Sequence, residues 1–207
     1  MGDWASNSDS KYGTATRPSD FMLSHLKAYQ NVTGNSNWQN VLNNTYSIIN
    51  TIYTNFSPNT GLMPDFAIKQ NNVFQPAPAG FLEDTNDGNY YYNSCRTPWR
   101  LSIDFLLTGD TNNKNQLMKL NAWIQSKTGG NPGVITAGYR LDGNSIESYN
   151  DMCFTAPFAV SAMIDATNQL WLNSLWDYIT GNDEPSYYGD SIKLLVLITV
   201  SGNWWMP

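Results

Sequence analysis

Three carboxylates, Glu83, Asp84 and Asp87, stand just before three consecutive tyrosines, Tyr90, Tyr91 and Tyr92, and the same stretch continues through Asn93, Cys95, Arg96 and Arg100 to Asp104. Carboxylates can accept and return protons, and flat rings beside them can hold an organic substrate in place, so the run reads as a functional rim. Gly88 punctuates the acidic part, which makes it a loop. Thr97 and Pro98 then open a helix, since proline is well placed in a first turn. On that helix Arg96, Arg100 and Asp104 recur at i, i+4 and i+8, a spacing that puts them on one face and allows a salt-bridged ladder. The blander alternative is a solvated ladder beside an ordinary loop.

The elements that must position this rim follow from periodicity. A helix is expected from Ser19 or Asp20 to Val32, and a second from Asn37 to Phe56, where Trp38, Val41, Leu42, Thr45, Ile48, Ile49, Ile52 and Phe56 give the clearest helical stripe in the chain. The stretch from Ser57 to Tyr92 reads as a long loop, because Pro76 and Pro78 forbid regular helix and Asn and Gly are frequent. Such a length is far above the usual connection of about 4–6 residues, and long loops on rigid scaffolds tend to carry function. A second helical hairpin is expected over Arg96–Leu107 and Asn113–Ser126, and a third over Phe154–Ile164 and Leu170–Ile179. A last helix is expected over Ser191–Val200. Between them, Thr128 to Asn150 reads as a Gly-rich loop with short extended pieces around Tyr139 and Leu141. Thr33-Gly34-Asn35 and Thr108-Gly109-Asp110 hold the same place in successive hairpins, an internal repeat. Seven helices in repeated hairpins, long-looped on one side and tight on the other, describe an all-α helical toroid with its site on the long-loop face.

Composition narrows the chemistry. The chain has 207 residues, enough for one sizeable core, and a net charge of −6 with only 14% charged residues. That balance disfavours nucleic acid, whose phosphates need clustered cations. Eight Trp and 12 Tyr stand among many Asn, Ser and Thr. A pyranose offers an apolar C–H face to rings and a hydroxyl fringe to amides and carboxylates, so this mixture suits sugars; an acidic groove would also suit a cationic polysaccharide. His25 is the only histidine, and Cys95 and Cys153 lack any Cys-x-x-Cys pattern. Serine-hydrolase triads and zinc sites are therefore disfavoured, and no metal or cofactor is implied. The cysteines read as buried thiols, with a disulfide an open alternative. No 18-residue uncharged apolar run offers a membrane span, and no export signal follows Met1.

Tyr-Asn-Ser-Cys-Arg-Thr-Pro-Trp-Arg, Tyr92 to Arg100, resembles the signature of glycoside hydrolase family 8, which contains inverting endo-glucanases, chitosanases, lichenases and xylanases. In many members an Asp that serves as catalytic base stands where this chain has Asn93. The sequence is similar instead to the chitosanase and lichenase branch, which has an amide there and a Glu ten residues upstream in a Phe-Leu-Glu loop. The resemblance thus implies that Glu83 is the general base, with Asp84 and Asp87 as rivals, and that Asn93 orients the water or binds sugar hydroxyls. It further implies substrate binding by Trp4, Arg17, Asp20, Tyr92, Arg96, Tyr187 and Tyr188. Asp20 can equally be a plain helix cap, and Trp4 stands near a chain end.

The resemblance runs from Trp4 to Trp205 but matches only the C-terminal half of the family's six-hairpin α/α barrel. The family's catalytic acid, a Glu in Glu-Gly-x-x-Tyr-Gly, and a sugar-orienting Asp in an Asp-Gly-Asp-like motif lie upstream of the matched region, and neither motif is present here. Residues 1–207 are accordingly read as a single incomplete catalytic domain of a secreted, endo-acting enzyme that cleaves β-1,4-linked glucan or chitosan. The acid would come from a missing N-terminal half, and this chain alone would be inactive. A non-catalytic glycan-binding segment is the alternative from another class. A generic α/α toroid such as a terpenoid cyclase or repeat scaffold is a third, disfavoured by the lack of aspartate-rich metal motifs.

Overall fold

The computed structural model describes residues 11–205. Its helices are α1 (Leu23–Thr33), α2 (Asn37–Phe56), α3 (Thr97–Thr108), α4 (Lys114–Thr128), α5 (Met152–Thr155), α6 (Pro157–Ala162), α7 (Gln169–Gly181) and α8 (Tyr187–Val200). They form two layers. α1 packs on α3, α3 on α6, and α5 and α6 on α8, which makes an inner row. Outside it, α2 backs α1, α4 backs α3 and α7 backs α6. The burial patterns agree: α6 is buried at every position, whereas α2 buries only Leu42, Thr45, Ile49 and Ile52 and α7 only Trp171, Leu175 and Ile179.

The expected internal repeat is present at the level of individual bonds. Gly34 and Gly109 adopt left-handed φ of 62° and 72°, which a side chain would strain. Thr33 and Thr108 each donate their hydroxyl to the carbonyl four residues back at 2.6 Å. Each hydroxyl then accepts from the amide two residues on, at 3.3 Å. Asn35 and Asp110 finish the turn by accepting from the amides of Asn37 and Asn112, both at 2.9 Å.

Several expectations need correction. The long segment before Tyr92 is not wholly irregular. β2 (Ala67–Gln70) and β3 (Val73–Pro76) pair antiparallel across an Asn71-Asn72 turn, and β1 (Ala15–Thr16) adds to β2 with Ala15 opposite Ile68. Asn71 and Asn72 both take positive φ, a conformation asparagine tolerates and tight hairpins require. α1 starts at Leu23, later than expected, because Pro18–Asp20 forms its own 3₁₀ turn. The helix expected over Phe154–Ile164 is two pieces, since Pro157 lacks the N–H that would continue α5, and the helix count is therefore eight among the described residues. α8 starts at Tyr187, where the Ser186 hydroxyl caps it by accepting from the Gly189 amide at 3.0 Å. Tyr139 is extended as expected and bridges to Tyr90 and Ser145. No helix among the described residues is long and apolar enough to cross a membrane.

The ladder on α3 does not form either. Asp104 turns away from the arginines and is held by Lys27 of α1 at 2.7 Å and by the Tyr46 hydroxyl of α2 at 2.7 Å. Lys27 also reaches Asp110 at 2.9 Å, so one ammonium ties α1 to α3 and to the α3–α4 turn. Arg100 lies over the Trp99 ring at 4.1 Å, and burial, with Arg96 nearby, lowers its pKa to about 10. Asp104 is almost wholly buried, and without it Lys27 and the Tyr46 hydroxyl keep only Asp110. Asp104→Ala in the intact enzyme should therefore cost about 1.5–3 kcal/mol in denaturant unfolding. A loss below about 1 kcal/mol would show that the tie is dispensable.

Candidate active site

Where helix α3 begins, the chain makes a tight 3₁₀ turn, Ser94–Arg96, and its backbone is gripped by a carboxylate from the long loop. Asp65, buried, accepts from the amides of Tyr91 at 3.0 Å, Asn93 at 3.0 Å and Ser94 at 2.6 Å, and from the Ser94 hydroxyl at 2.6 Å. Burial raises its carboxyl more than these donors lower it, which leaves it at about 6. The result is an ionised clamp at neutral pH. It fixes the backbone at Asn93, whose own side-chain amide is buried.

That amide reaches Glu83. Asn93 Nδ2 donates to Glu83 Oε2 at 2.7 Å and lies 3.4 Å from Asp65 Oδ2. Arg96 orients the other side of the amide, donating to Asn93 Oδ1 at 3.3 Å and to its carbonyl at 3.1 Å. The same guanidinium donates to the Ser19 hydroxyl at 2.8 Å. Residues from the first 3₁₀ turn, the loop and the start of α3 therefore meet around one side-chain amide, although they are far apart in sequence.

The acidic loop divides its carboxylates by burial. Asp87 is buried and its oxygens accept from the amides of Leu82 at 2.7 Å, Glu83 at 3.1 Å and Asp84 at 3.1 Å. It braces the loop, and both its oxygens are taken up by those amides. Asp84 is exposed and accepts from the Asn86 amide. Glu83 is exposed too, with one oxygen on Asn93 and the other making no bond among the described residues.

One residue before Asn93, Tyr92 meets Tyr188. The Tyr188 hydroxyl donates to the Tyr92 carbonyl at 2.5 Å, and the rings lie 6.4 Å apart. Tyr92 stands edge-on to Phe154 at 5.0 Å, and its hydroxyl donates to Asp151 at 3.2 Å. Tyr187 is 90% exposed and stands apart from this pair. Arg17 and Asp20 pair with each other at 2.8 Å on the surface, joined to the network only through the neighbouring Ser19. Trp4 lies outside the described residues. Cys95 and Cys153 are free, buried thiols; Cys95 Sγ lies 3.2 Å from the Tyr92 carbonyl and 3.5 Å from the Tyr188 hydroxyl, and burial pushes the Cys153 thiol up.

Glycosyl hydrolases family 8 matches this sequence over residues 1–202. The chain belongs to that family. It is 51% identical over 205 residues to a Beta-glucanase from Niallia circulans, covering 99% of this chain and 50% of that protein. An Endoglucanase from Bacillus sp. (strain KSM-330) is 40% identical, with all of this chain and 43% of that protein matched. Among solved structures, a Beta-1,3-1,4-glucanase from Paenibacillus sp.X4 superposes with a TM-score of 0.97 at 51% identity, over all of this chain and 54% of that one. The chain thus spans about half the length of the relatives it matches, and its inner and outer helices make about half of the family's α/α toroid.

Asp65 is the site residue that sequence reading missed. Its partners lie 26–29 residues further on. One signal was present: Asp65 sits between Leu62-Met63-Pro64 and Phe66-Ala67, an acid in an apolar run, and such an acid must be buried with partners. Asp87 offers a test of the loop's construction. Asp87→Ala leaves three amides without their acceptor, so the amides of Leu82, Glu83 and Asp84 should exchange hydrogen at least about tenfold faster while those of α3 stay protected. Unchanged exchange at these three positions would show that another group holds the loop.

Proposed function

We propose that the enzyme containing this chain hydrolyses internal β-1,4 bonds of β-glucans, including mixed β-1,3-1,4-glucans, with inversion at the anomeric carbon. The observation that carries this reading is Glu83: an exposed carboxylate with one oxygen fixed by Asn93, the residue after Tyr92, and the other open among the described residues. A group so placed can take a proton from water, and Asn93 cannot, since an amide has no basicity at neutral pH. Inversion requires a second carboxyl group roughly 6.5–9.5 Å from the base to protonate the leaving oxygen. We assign that acid to a part of the enzyme outside residues 1–207, in keeping with a chain that spans about half of its relatives.

In this mechanism a glucan chain lies across Tyr92 and Tyr188, which cover the apolar face of a sugar ring. Arg96, Arg17 and Asp20 bind hydroxyls at the rim, and Tyr187 and Trp4 extend the surface along the chain. Water held by Asn93 and Glu83 attacks C1 from the face opposite the leaving oxygen as Glu83 Oε accepts its proton. The C1–O bond breaks, the external acid protonates the departing sugar, and both groups regain their starting states by proton exchange with solvent. Asp65 acts as a positioning residue, since it fixes the turn from which Asn93 reaches Glu83. A neutral glucan is favoured over chitosan because two of the similar proteins are a Beta-glucanase and a Beta-1,3-1,4-glucanase. A polymeric glucan is too large to enter a cell intact, so this reading has the enzyme act outside the cell.

In the intact enzyme, Glu83→Gln should lower kcat on mixed-linkage β-glucan at least about 1,000-fold with little change in substrate binding. Asp65→Asn should lower kcat about 10- to 100-fold at near-constant KM, and should add little once Asn93→Ala is present, because it acts through Asn93. Full turnover by Glu83→Gln, with Asp84→Asn inactive, would move the base to Asp84. Additive effects of Asp65→Asn and Asn93→Ala would reduce Asp65 to a fold-stabilising role.

A further inference from the structure

The outer layer carries a second feature that fits a sugar chain. Two adjoining cavities of about 510 and 430 Å³ run between α2 and the α3–α4 turn, and both are lined by Asn43, Tyr46 and Asn112, so they form one trough. It lies at the end of α3 opposite Asn93. A helix of this length separates the two places by roughly 18 Å.

The α2 side of the trough repeats an amide and a ring: Asn43, Tyr46, Asn50, Tyr53, spaced three, four and three residues apart and therefore on one face. This face is the shoulder beside the buried stripe of Leu42, Thr45, Ile49 and Ile52. Amides and rings together suit the hydroxyl fringe and apolar face of a sugar chain. Tyr46 and Tyr53 are seven residues apart, about 10.5 Å along the axis. Two β-linked glucose units span a similar length, so alternate sugars would meet a ring and an amide in turn.

Charge selects the ligand class. At the upper end, Lys27 faces Asp104 and Asp110, and the same carboxylates hold the Tyr46 hydroxyl at 2.7 and 3.0 Å, so that ring is a fixed platform. The lower cavity is lined by uncharged residues throughout. A neutral, hydroxyl-rich chain meets these conditions; a phosphate does not.

The geometry points to a second, non-catalytic binding trough for a β-glucan chain between α2 and the α3–α4 turn, with Tyr46 and Tyr53 as stacking platforms. The choice of glucan rests on the substrate class proposed above, and the trough would hold polymer near the cleft without touching the reacting bond.

The test uses the intact enzyme with soluble mixed-linkage β-glucan and, in parallel, a short β-gluco-oligosaccharide that cannot reach both places. Tyr53→Ala should raise KM for the polymer about 3- to 10-fold and weaken retention in a glucan-containing native gel, with kcat/KM on the oligosaccharide unchanged within about twofold. Asn50→Ala, an exposed and helix-favourable change, should shift the polymer KM in the same direction by about two- to threefold, so the result does not hang on how Tyr53→Ala folds. Unchanged polymer KM and retention in both variants overturns the trough, as would follow if the rest of the enzyme covers it. Equal losses on polymer and oligosaccharide in Asn50→Ala overturn it too. Loss of turnover in Glu83→Gln with no effect in either trough variant would leave the catalytic reading intact and remove only this one.

Discussion

One side-chain amide holds the site together. Asn93 lies between a buried carboxylate, Asp65, and an exposed one, Glu83, and donates toward both. A carboxylate at position 93 would bring a third negative charge into hydrogen-bond range of two others, and like charges that close cannot all ionise at neutral pH. The amide removes that conflict. It supplies N–H where the two carboxylates need donors and presents its oxygen to the Arg96 guanidinium. The two acids can then differ in role: Asp65 is sealed among backbone amides, while Glu83 keeps an oxygen open.

The scaffold's contribution is to bring distant segments to this point and hold them there. α3 is buried over most of its length and carries Arg96 at its start and Asp104 within the core. At one end Arg96 ties the first 3₁₀ turn to Asn93; at the other Lys27 and Tyr46 tie α1 and α2 to Asp104. The small sheet has a related task. By pairing β2 with β3 it closes the segment that carries Asp65, and the Phe66 amide bonds to the Asp87 carbonyl at 2.8 Å, joining the clamp to the acidic loop. Loops that carry chemistry are usually mobile, and here buried carboxylates replace regular structure as the means of fixing them.

The sequence disclosed the hairpins well because their signals are local. The α2 stripe and the two Thr-Gly turns each lie within a few residues, and the structure reproduces both. Glu83, Asn93 and Arg96 were legible as a group because they share one short stretch, and the structure bonds them to one another. What stayed hidden depends on contacts across long separations. Nothing near Asp104 announces that it prefers Lys27, 77 residues away, to the arginines on its own helix. Asp65 is similar: an acid in a loop gives no sign of its partners, and only its apolar neighbours hint at burial. The β2–β3 hairpin was masked by strands of four residues each and by a turn of two asparagines in an Asn-rich segment. Tyr187 and Tyr188 were legible as a pair, but the start of α8 sends them different ways, with Tyr188 onto Tyr92 and Tyr187 into solvent.

The central claim, that Glu83 is the base of an inverting reaction, has one direct chemical test. Removing the carboxylate with Glu83→Ala in the intact enzyme opens space for a small anion to attack in place of water. Sodium azide, which needs no general base, should restore turnover and yield the α-glycosyl azide from a β-linked substrate, identified by its anomeric proton coupling in NMR. A β-glycosyl azide, or Glu83→Ala turnover that is undiminished without azide, would contradict the account.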